Sequence, residues 1–485
     1  MNYRFIFHIT GQAVLVEAGL LLCPALVALL YHENSGWSFL ITAAIALAAG
    51  GALFLLGKGA KKTVYAKEAF CAVSLVWINL SLVGALPFVL SGQIPNFIDA
   101  LFETVSGFTT TGASLVNQVE NLDHGILFWR SFTHWVGGMG ILVFIVMFGT
   151  RTSDNALLIF RAEMPGPDVG KLLPKASETA RILYRIYLAL TLLEIVLLVL
   201  GGSPLFDSVV HAMGTAGTGG FGIRSDSIGG YSSYIQWVIT IFMLLFGINF
   251  NLYFFLLYRK FRAVVKSEEL RAYLGIVIAA VLLILWNIRP LYSSASHALR
   301  DSAFQVASII TTTGYSTTDF DLWPAFSKGI LLILMVIGGC AGSTAGGLKV
   351  SRIVILAKTI SAEIRNARHP RHVTSVTLDE KHVKDASGKG AAIYFAIYSG
   401  VLVLVFLLVS LNGFSMETNI SATFACLNNV GPGFAQVGPS AGYALFSPFS
   451  KVVLTLAMLF GRLELYPMLI CLSPLVWLPN RTHFR

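Results

Sequence analysis

The chain has 485 residues, 55% of them hydrophobic and 12% charged, with a formal net charge of +9. Soluble domains carry roughly a quarter charged residues, so an ordinary soluble enzyme is excluded, and in so apolar a chain the basic excess speaks of loop topology rather than of nucleic-acid binding. Apolar runs recur from end to end at about the 20-residue length that a helix needs to cross a bilayer, whereas a transmembrane barrel would alternate over about 10 residues.

The expected fold class is therefore an all-α polytopic membrane protein. Two N-terminal spans come first, Ile9–Tyr31 and Trp37–Leu56, and the length of the former argues against a cleaved leader. A basic stretch, Lys58–Lys67, precedes the next span, Ala69–Leu90. Then come a short amphipathic helix, Asn96–Phe108, a glycine-centred loop TTTGASLV at Thr109–Val116, and a span near Phe128–Phe148. This order of span, half-span, loop and span returns three times. The second unit reads as Ile182–Leu200, Pro204–Met213, the loop TAGTGGFGI from Thr215, and Ile235–Tyr258. The third reads as Leu274–Trp286, Ser296–Ile310, the loop TTTGYSTT from Thr311, and a broken span from Ile330. The fourth reads as Ala391–Leu411, Ser415–Leu427, the loop NNVGPGFA from Asn428, and Val452–Leu472. Residues 1–66 thus hold two extra spans, and four repeats occupy 67–170, 171–268, 269–385 and 386–485, for ten full spans and four half-spans in all.

Lys and Arg concentrate in Lys58–Lys67, 151–185, 259–271 and 349–389. These should be cytoplasmic by the positive-inside rule, which puts both termini in the cytoplasm and brings the glycine loops in from outside. The cysteines Cys23, Cys71, Cys340, Cys426 and Cys471 stand singly in apolar or glycine-rich contexts, without metal-ligand spacing.

Irregular backbone at membrane depth must be buried by protein or lie against water, so four such loops in equivalent places can share one aqueous axis. Each half-helix would aim its negative C-terminal end at that axis, favouring a cation, and loop carbonyls could replace the hydration shell of a monovalent ion. The loop centres TTGAS, GTGGF, TTGYS and NVGPG carry no charged side chain. A hard divalent ion would want carboxylates, so potassium or sodium fits better.

The span from Ile330 is interrupted by IGGCAGSTAGGLK, Ile337–Lys349, whose small residues hold a helix poorly. Gly342 and Gly347 have P-loop spacing, but Leu348 precedes Lys349 and no strand leads in, so nucleotide binding is excluded there. The preferred reading is a loop just below the filter that obstructs the pore, involving Gly338, Gly339, Gly342, Ser343, Thr344, Gly346, Gly347 and Lys349. Arg462 stands eleven residues after Lys451 in the last span, about 16 Å along a helix. It reads as a positive charge beneath the filter, with Glu464 on a different helix face. Glu103 and Asp301, inside half-helices, are expected to hold loop backbone, and His134 and Trp135 to anchor a span at the membrane interface.

The four loops, WVGGMGI at Trp135–Ile141, RAEMPGP at Arg161–Pro167, GGCAGSTAGGLKV at Gly338–Val350, HPR at His369–Arg371, LNNVGPG at Leu427–Gly433 and FGRLE at Phe460–Glu464 together resemble the Trk/Ktr/HKT superfamily of potassium transporters, and within it the bacterial Trk potassium-translocating subunit. The resemblance implies four pseudo-repeats, each like one potassium-channel subunit, packed as a homodimer in the bacterial inner membrane. It implies a potassium filter made of the backbone of Thr110, Thr111 and Gly112, of Gly217, Thr218 and Gly219, of Thr312, Thr313 and Gly314, and of Asn429, Val430 and Gly431. It also implies that Gly338–Lys349 is an intramembrane gating loop. No cofactor is expected in this chain, which shows no Rossmann fingerprint; ATP, ADP or NAD would bind a cytosolic regulatory partner similar to the NAD-binding proteins of Trk systems. A proton- or sodium-coupled potassium symporter is the alternative, and no catalytic constellation argues for an enzyme.

Overall fold

The computed structural model describes residues 1–60, 64–140, 176–369, 377–379, 381–382 and 385–477. The end of the span near Phe128–Phe148, the RAEMPGP motif, residues 151–175 of one basic segment, and HPR beyond His369 lie outside the described residues. Among the described residues the regular structure is helical, apart from a hairpin that pairs Thr377–Leu378 with Lys381–His382.

Three helices lead: α1 (Tyr3–Leu30), α2 (Gly36–Leu56) and α3 (Ala66–Leu90). The repeats follow as α4 (Phe97–Phe108) and α5 (His124–Met139); α6 (Ala176–Leu200), α7 (Leu205–Gly217), α8 (Ser233–Phe246) and α9 (Phe250–Leu257); α10 (Glu268–Ile288), α11 (Ala295–Ile310) and α12 (Ala325–Ile337); and, after α13 (Val350–Arg368), α14 (Asp385–Ser410), α15 (Met416–Leu427), α16 (Pro448–Arg462) and α17 (Tyr466–Leu472). Two of the four half-helices begin on side-chain caps. Asn96 accepts from the Ile98 and Asp99 amides, and Ser415 accepts from the Thr418 amide.

Among the described residues, six helices are long and apolar enough to cross a membrane, or seven if the bent pair α8–α9 is one span. Ten were expected. The difference lies in the second helix of three repeats: α5 stops at Met139, where Gly140 turns to φ 80°, α12 at Ile337 and α16 at Arg462. Along α10 the apolar Ile278, Leu282 and Trp286 face outward, as lipid-facing side chains would.

Four contacts close the repeats into a circle. The second helix of each packs on the half-helix of the next: α5 on α7, α8 on α11, α12 on α15, and α16 back on α4. Ile235–Tyr258, expected as one continuous span, instead turns by 91° between α8 and α9. The backbone groups freed by that break are satisfied by the glycine-rich loop of the third repeat. Gly247 O accepts from the Cys340 amide, and the Phe250 amide donates to Gly342 O, each at 3.0 Å.

Candidate functional site

All four half-helices end alike. At one corner residue the backbone turns left-handed: Thr110 (φ 58°), Thr218 (φ 55°), Thr312 (φ 55°) and Asn429 (φ 57°). The next amide then reaches five residues back, from Thr111 to Ser106 O, Gly219 to Gly214 O, Thr313 to Ser308 O and Val430 to Ala425 O, each at 2.8 Å. This is the Schellman closure, which ordinarily places glycine at the corner. A β-branched threonine is a genuine outlier there, and strain of this kind clusters at functional sites. Two residues past each corner comes a glycine with positive φ: Gly112 (75°), Gly220 (78°), Gly314 (86°) and Gly431 (96°).

This geometry shifts the register expected for the second loop. Gly220, not Gly219, is the counterpart of Gly112, and Gly219 matches Thr111. Gly217 lies one residue before the corner, in the place of Thr109. With glycine at positions 217, 219 and 220, side-chain type does not reveal which one must turn left-handed.

The central glycines close the site. A Cβ on Gly112 would lie 2.0 Å from Gly219 O, on Gly220 2.0 Å from Thr313 O, on Gly314 2.3 Å from Val430 O, and on Gly431 2.5 Å from Thr111 O. Each glycine therefore seats the carbonyl of the next loop, from the first repeat round to the first again. The four loops named from the sequence meet as one ring of neutral carbonyl oxygens, and no other residue type leaves room for this approach.

Hydroxyls and amides brace the ring. Thr109 and Thr111 share a hydrogen bond of 2.7 Å, and Thr311 and Thr313 one of 2.8 Å. Asn429 Nδ2 donates to Thr111 Oγ1 and to Met458 O, each at 2.9 Å. Outside the ring, buried Glu103 accepts from Ser114 Oγ, the Leu115 amide and Arg130 Nε, each at 2.9 Å. Arg130 also reaches Gly222 O at 3.3 Å and stacks on Phe221 at 4.1 Å, tying the first loop to the second. Asp301 accepts from Thr317 Oγ1 at 3.1 Å. Above the ring lies a cavity of about 180 Å³ with Gly112, Gly220, Gly314 and Gly431 at its floor. Among the described residues, no group of three or more His, Cys, Asp or Glu could hold a metal ion.

The glycine-rich loop sits directly beneath. The Gly346 amide donates to Thr312 Oγ1 at 2.7 Å, joining the loop to a corner residue of the ring. Gly338, Gly346 and Gly347 pack back to back, with a Gly338 Cβ position 2.2 Å from Gly346 O. A Cβ on Gly339 would lie 2.6 Å from Ala345 Cβ. Ser343 Oγ donates to Cys340 O at 2.6 Å, Thr344 Oγ1 to Phe246 O at 3.3 Å, and buried Lys349 Nζ to Ala345 O. Glu269 Oε1 accepts from the Ala341 amide at 2.7 Å and the Ser351 amide at 3.1 Å, clasping both ends of the loop.

Arg462 donates to Thr344 O at 3.1 Å and to the carbonyls of Gly137 and Gly138 at the end of α5. Its guanidinium thus links the loop to the first repeat. Glu464 pairs instead with Arg352. His134 is fully buried against the second loop, not at an interface, and corrects the anchoring role expected of it. Arg130, Glu269 and Gly220 are the site residues that sequence reasoning missed. The signal available for Arg130 was a lone basic residue six positions after His124 in an apolar run.

A family model described as TrkH, cation transport protein, matches residues 35–477. The Trk system potassium uptake protein TrkH of Salmonella typhimurium is 37% identical over 485 residues, covering 98% of this chain and all of that one. The Trk system potassium uptake protein TrkG of Escherichia coli is 34% identical over 487 residues, covering 98% and 99%. The crystal structure of the potassium transporter TrkH from Vibrio parahaemolyticus superimposes with a TM-score of 0.88 at 33% identity, over 99% of this chain and 100% of that one. With its family model matched across nearly the whole sequence and its fold shared from end to end, the chain belongs to the TrkH family of cation transport proteins.

Proposed function

We propose that this protein takes up potassium across the membrane, the four loops forming its selectivity filter. The reading is carried by one observation: each central glycine seats the next loop's carbonyl, so the loops make one closed ring of neutral oxygens. Such oxygens suit a dehydrated monovalent cation, and the relatives named above are potassium uptake proteins. The filter positions are Thr110–Gly112, Thr218–Gly220, Thr312–Gly314 and Asn429–Gly431, with Gly217 just outside in the second loop.

The Gly338–Lys349 loop is the gate in this reading, since it hydrogen-bonds a corner residue from below and is held there by Arg462. The protein works as a homodimer in the bacterial inner membrane, with both termini cytoplasmic. A cytosolic subunit binding ATP, ADP or NAD acts on the basic cytoplasmic segments.

The test is ion flux in vesicles carrying the full chain. Gly112→Ser, Gly220→Ser, Gly314→Ser and Gly431→Ser should each lower the potassium-to-sodium permeability ratio. Unchanged ratios in all four would sink the filter assignment. Reversal potentials in the same vesicles separate uniport from symport, because a shift with pH or sodium at fixed potassium marks coupling.

A further inference from the structure

The second loop differs from the others at the residue after the corner. Thr111, Thr313 and Val430 stand there in three repeats, and Gly219 in the second. The space a side chain would fill is already taken. A Cβ on Gly219 would lie 2.2 Å from His134 Cγ and 2.3 Å from His134 Nδ1. The imidazole comes from α5 of the preceding repeat and is fully buried. His134 Nδ1 lies 2.7 Å from Gly107 O, in the last turn of the first half-helix. Nε2 accepts from the Phe221 amide at 3.2 Å, the residue directly after central Gly220. Because Nε2 is the acceptor, Nδ1 carries the proton and donates to Gly107, so both partners are satisfied only by the neutral ring in that tautomer. The ring also lies 4.3 Å from the Phe221 ring.

The corresponding positions of the other repeats show what is unusual. Gly137 and Gly461 are equivalent, since a Cβ on them would lie 2.0 Å from Phe108 O and 2.1 Å from Leu427 O, each two residues before a corner. Three residues before these glycines stand His134 and Met458. Gly138 and Gly247 abut the residue before a corner, Gly217 and Thr311. Four residues before them stand His134 and Met243, and Met335 stands four before Gly339. All four side chains are buried. Three repeats thus carry a flexible apolar methionine where the first carries a rigid, doubly hydrogen-bonded ring.

We infer that His134 is a specificity-determining positioning residue: it stands in for the missing side chain of Gly219 and, through Gly107 and Phe221, fixes where the Gly219 and Gly220 carbonyls lie in the ring. Its role rests on the filter reading above. His134 touches no ion; it acts through the backbone it holds.

The test uses the full chain in vesicles, with four variants. His134→Met keeps the volume and matches the other repeats but removes both hydrogen bonds. It should lower the potassium-to-sodium ratio about fivefold to tenfold, the equilibrium weight of a neutral hydrogen bond. His134→Gln, whose Oε1 can accept from Phe221, should recover part of that ratio. Gly219→Ala should abolish uptake when His134 is present, and His134→Ala combined with Gly219→Ala should restore uptake relative to Gly219→Ala alone. An unaltered ratio in His134→Met, or equal damage from Gly219→Ala in both backgrounds, overturns the inference. The four glycine-to-serine variants above, run alongside, separate the two readings: if all four ratios also stay unaltered, the filter assignment fails, and if only the His134 variants are silent, the positioning role fails.

Discussion

The Asn429 amide donates to Thr111 Oγ1 across 318 residues of sequence, and so joins the last loop of the ring to the first. The same Nδ2 holds Met458 O in α16. Asn429 is also a corner residue, with φ 57°. Asn tolerates the left-handed region better than other side chains do, which suits it to both tasks.

Asn429→Ala should therefore lose two buried hydrogen bonds and strain the corner, at a cost of about 1–3 kcal/mol. Asn429→Gly loses the same bonds without the strain. The expected order of thermal midpoints is wild type, then Gly, then Ala, measured on detergent-purified protein. An Ala variant as stable as wild type would deny the corner its role.

Glu103 and Arg130 lie 2.8 Å apart, with side chains 0% and 2% exposed. Removing one member of such a pair leaves a buried charge uncompensated, at about 3–5 kcal/mol. Glu103→Leu or Arg130→Met alone should prevent accumulation of folded protein, while the double variant should recover part of it. A double-mutant cycle with no coupling would rule out this account.

Arg462 reaches three backbone carbonyls from one guanidinium. Arg462→Ala should raise rubidium uptake in the absence of any partner, since the loop loses its tie to α5. Arg462→Lys preserves the charge but not the planar fork. If the fork matters, Lys should behave like Ala; if the charge alone sets the barrier, Lys should behave like wild type.

On the outer rim, Glu120 accepts from the Ser225 amide at 2.5 Å and from Ser225 Oγ at 2.6 Å. The Ser225 hydroxyl first, and then its amide, hold this carboxyl below its ordinary range. A folded value below the free one means that the clamp contributes at neutral pH and is lost as pH falls through the folded value. Amide exchange should show better protection at Ser225 in wild type than in Glu120→Gln at neutral pH, with the difference shrinking as pH falls through the carboxyl's folded value. A difference that persists in acid would contradict the clamp.

The repeated order of half-helix and glycine loop was legible because each half-helix is short, with glycine past its end, and two of them start on the caps Asn96 and Ser415. The register of the second loop was not. GTGGF offers several glycines with the same side chain, and only φ separates Gly220 from Gly219. The break after Phe246 was hidden too, because Ile235–Tyr258 is apolar throughout and the groups that satisfy the broken backbone, Cys340 and Gly342, come from the next repeat. Arg462 stood out as a charge in an apolar run, but its carbonyl partners lie more than 100 residues away in the chain.

By itself the sequence determined that this is a helical membrane protein with four like units, because hydropathy, positive charge in loops and glycine spacing are local quantities. Only the tertiary structure decided how the units differ. Carbonyl meets glycine, imidazole meets Gly219 and guanidinium meets Thr344 across repeat boundaries, and distances between segments far apart in a chain are set by how helices pack, which no local pattern records.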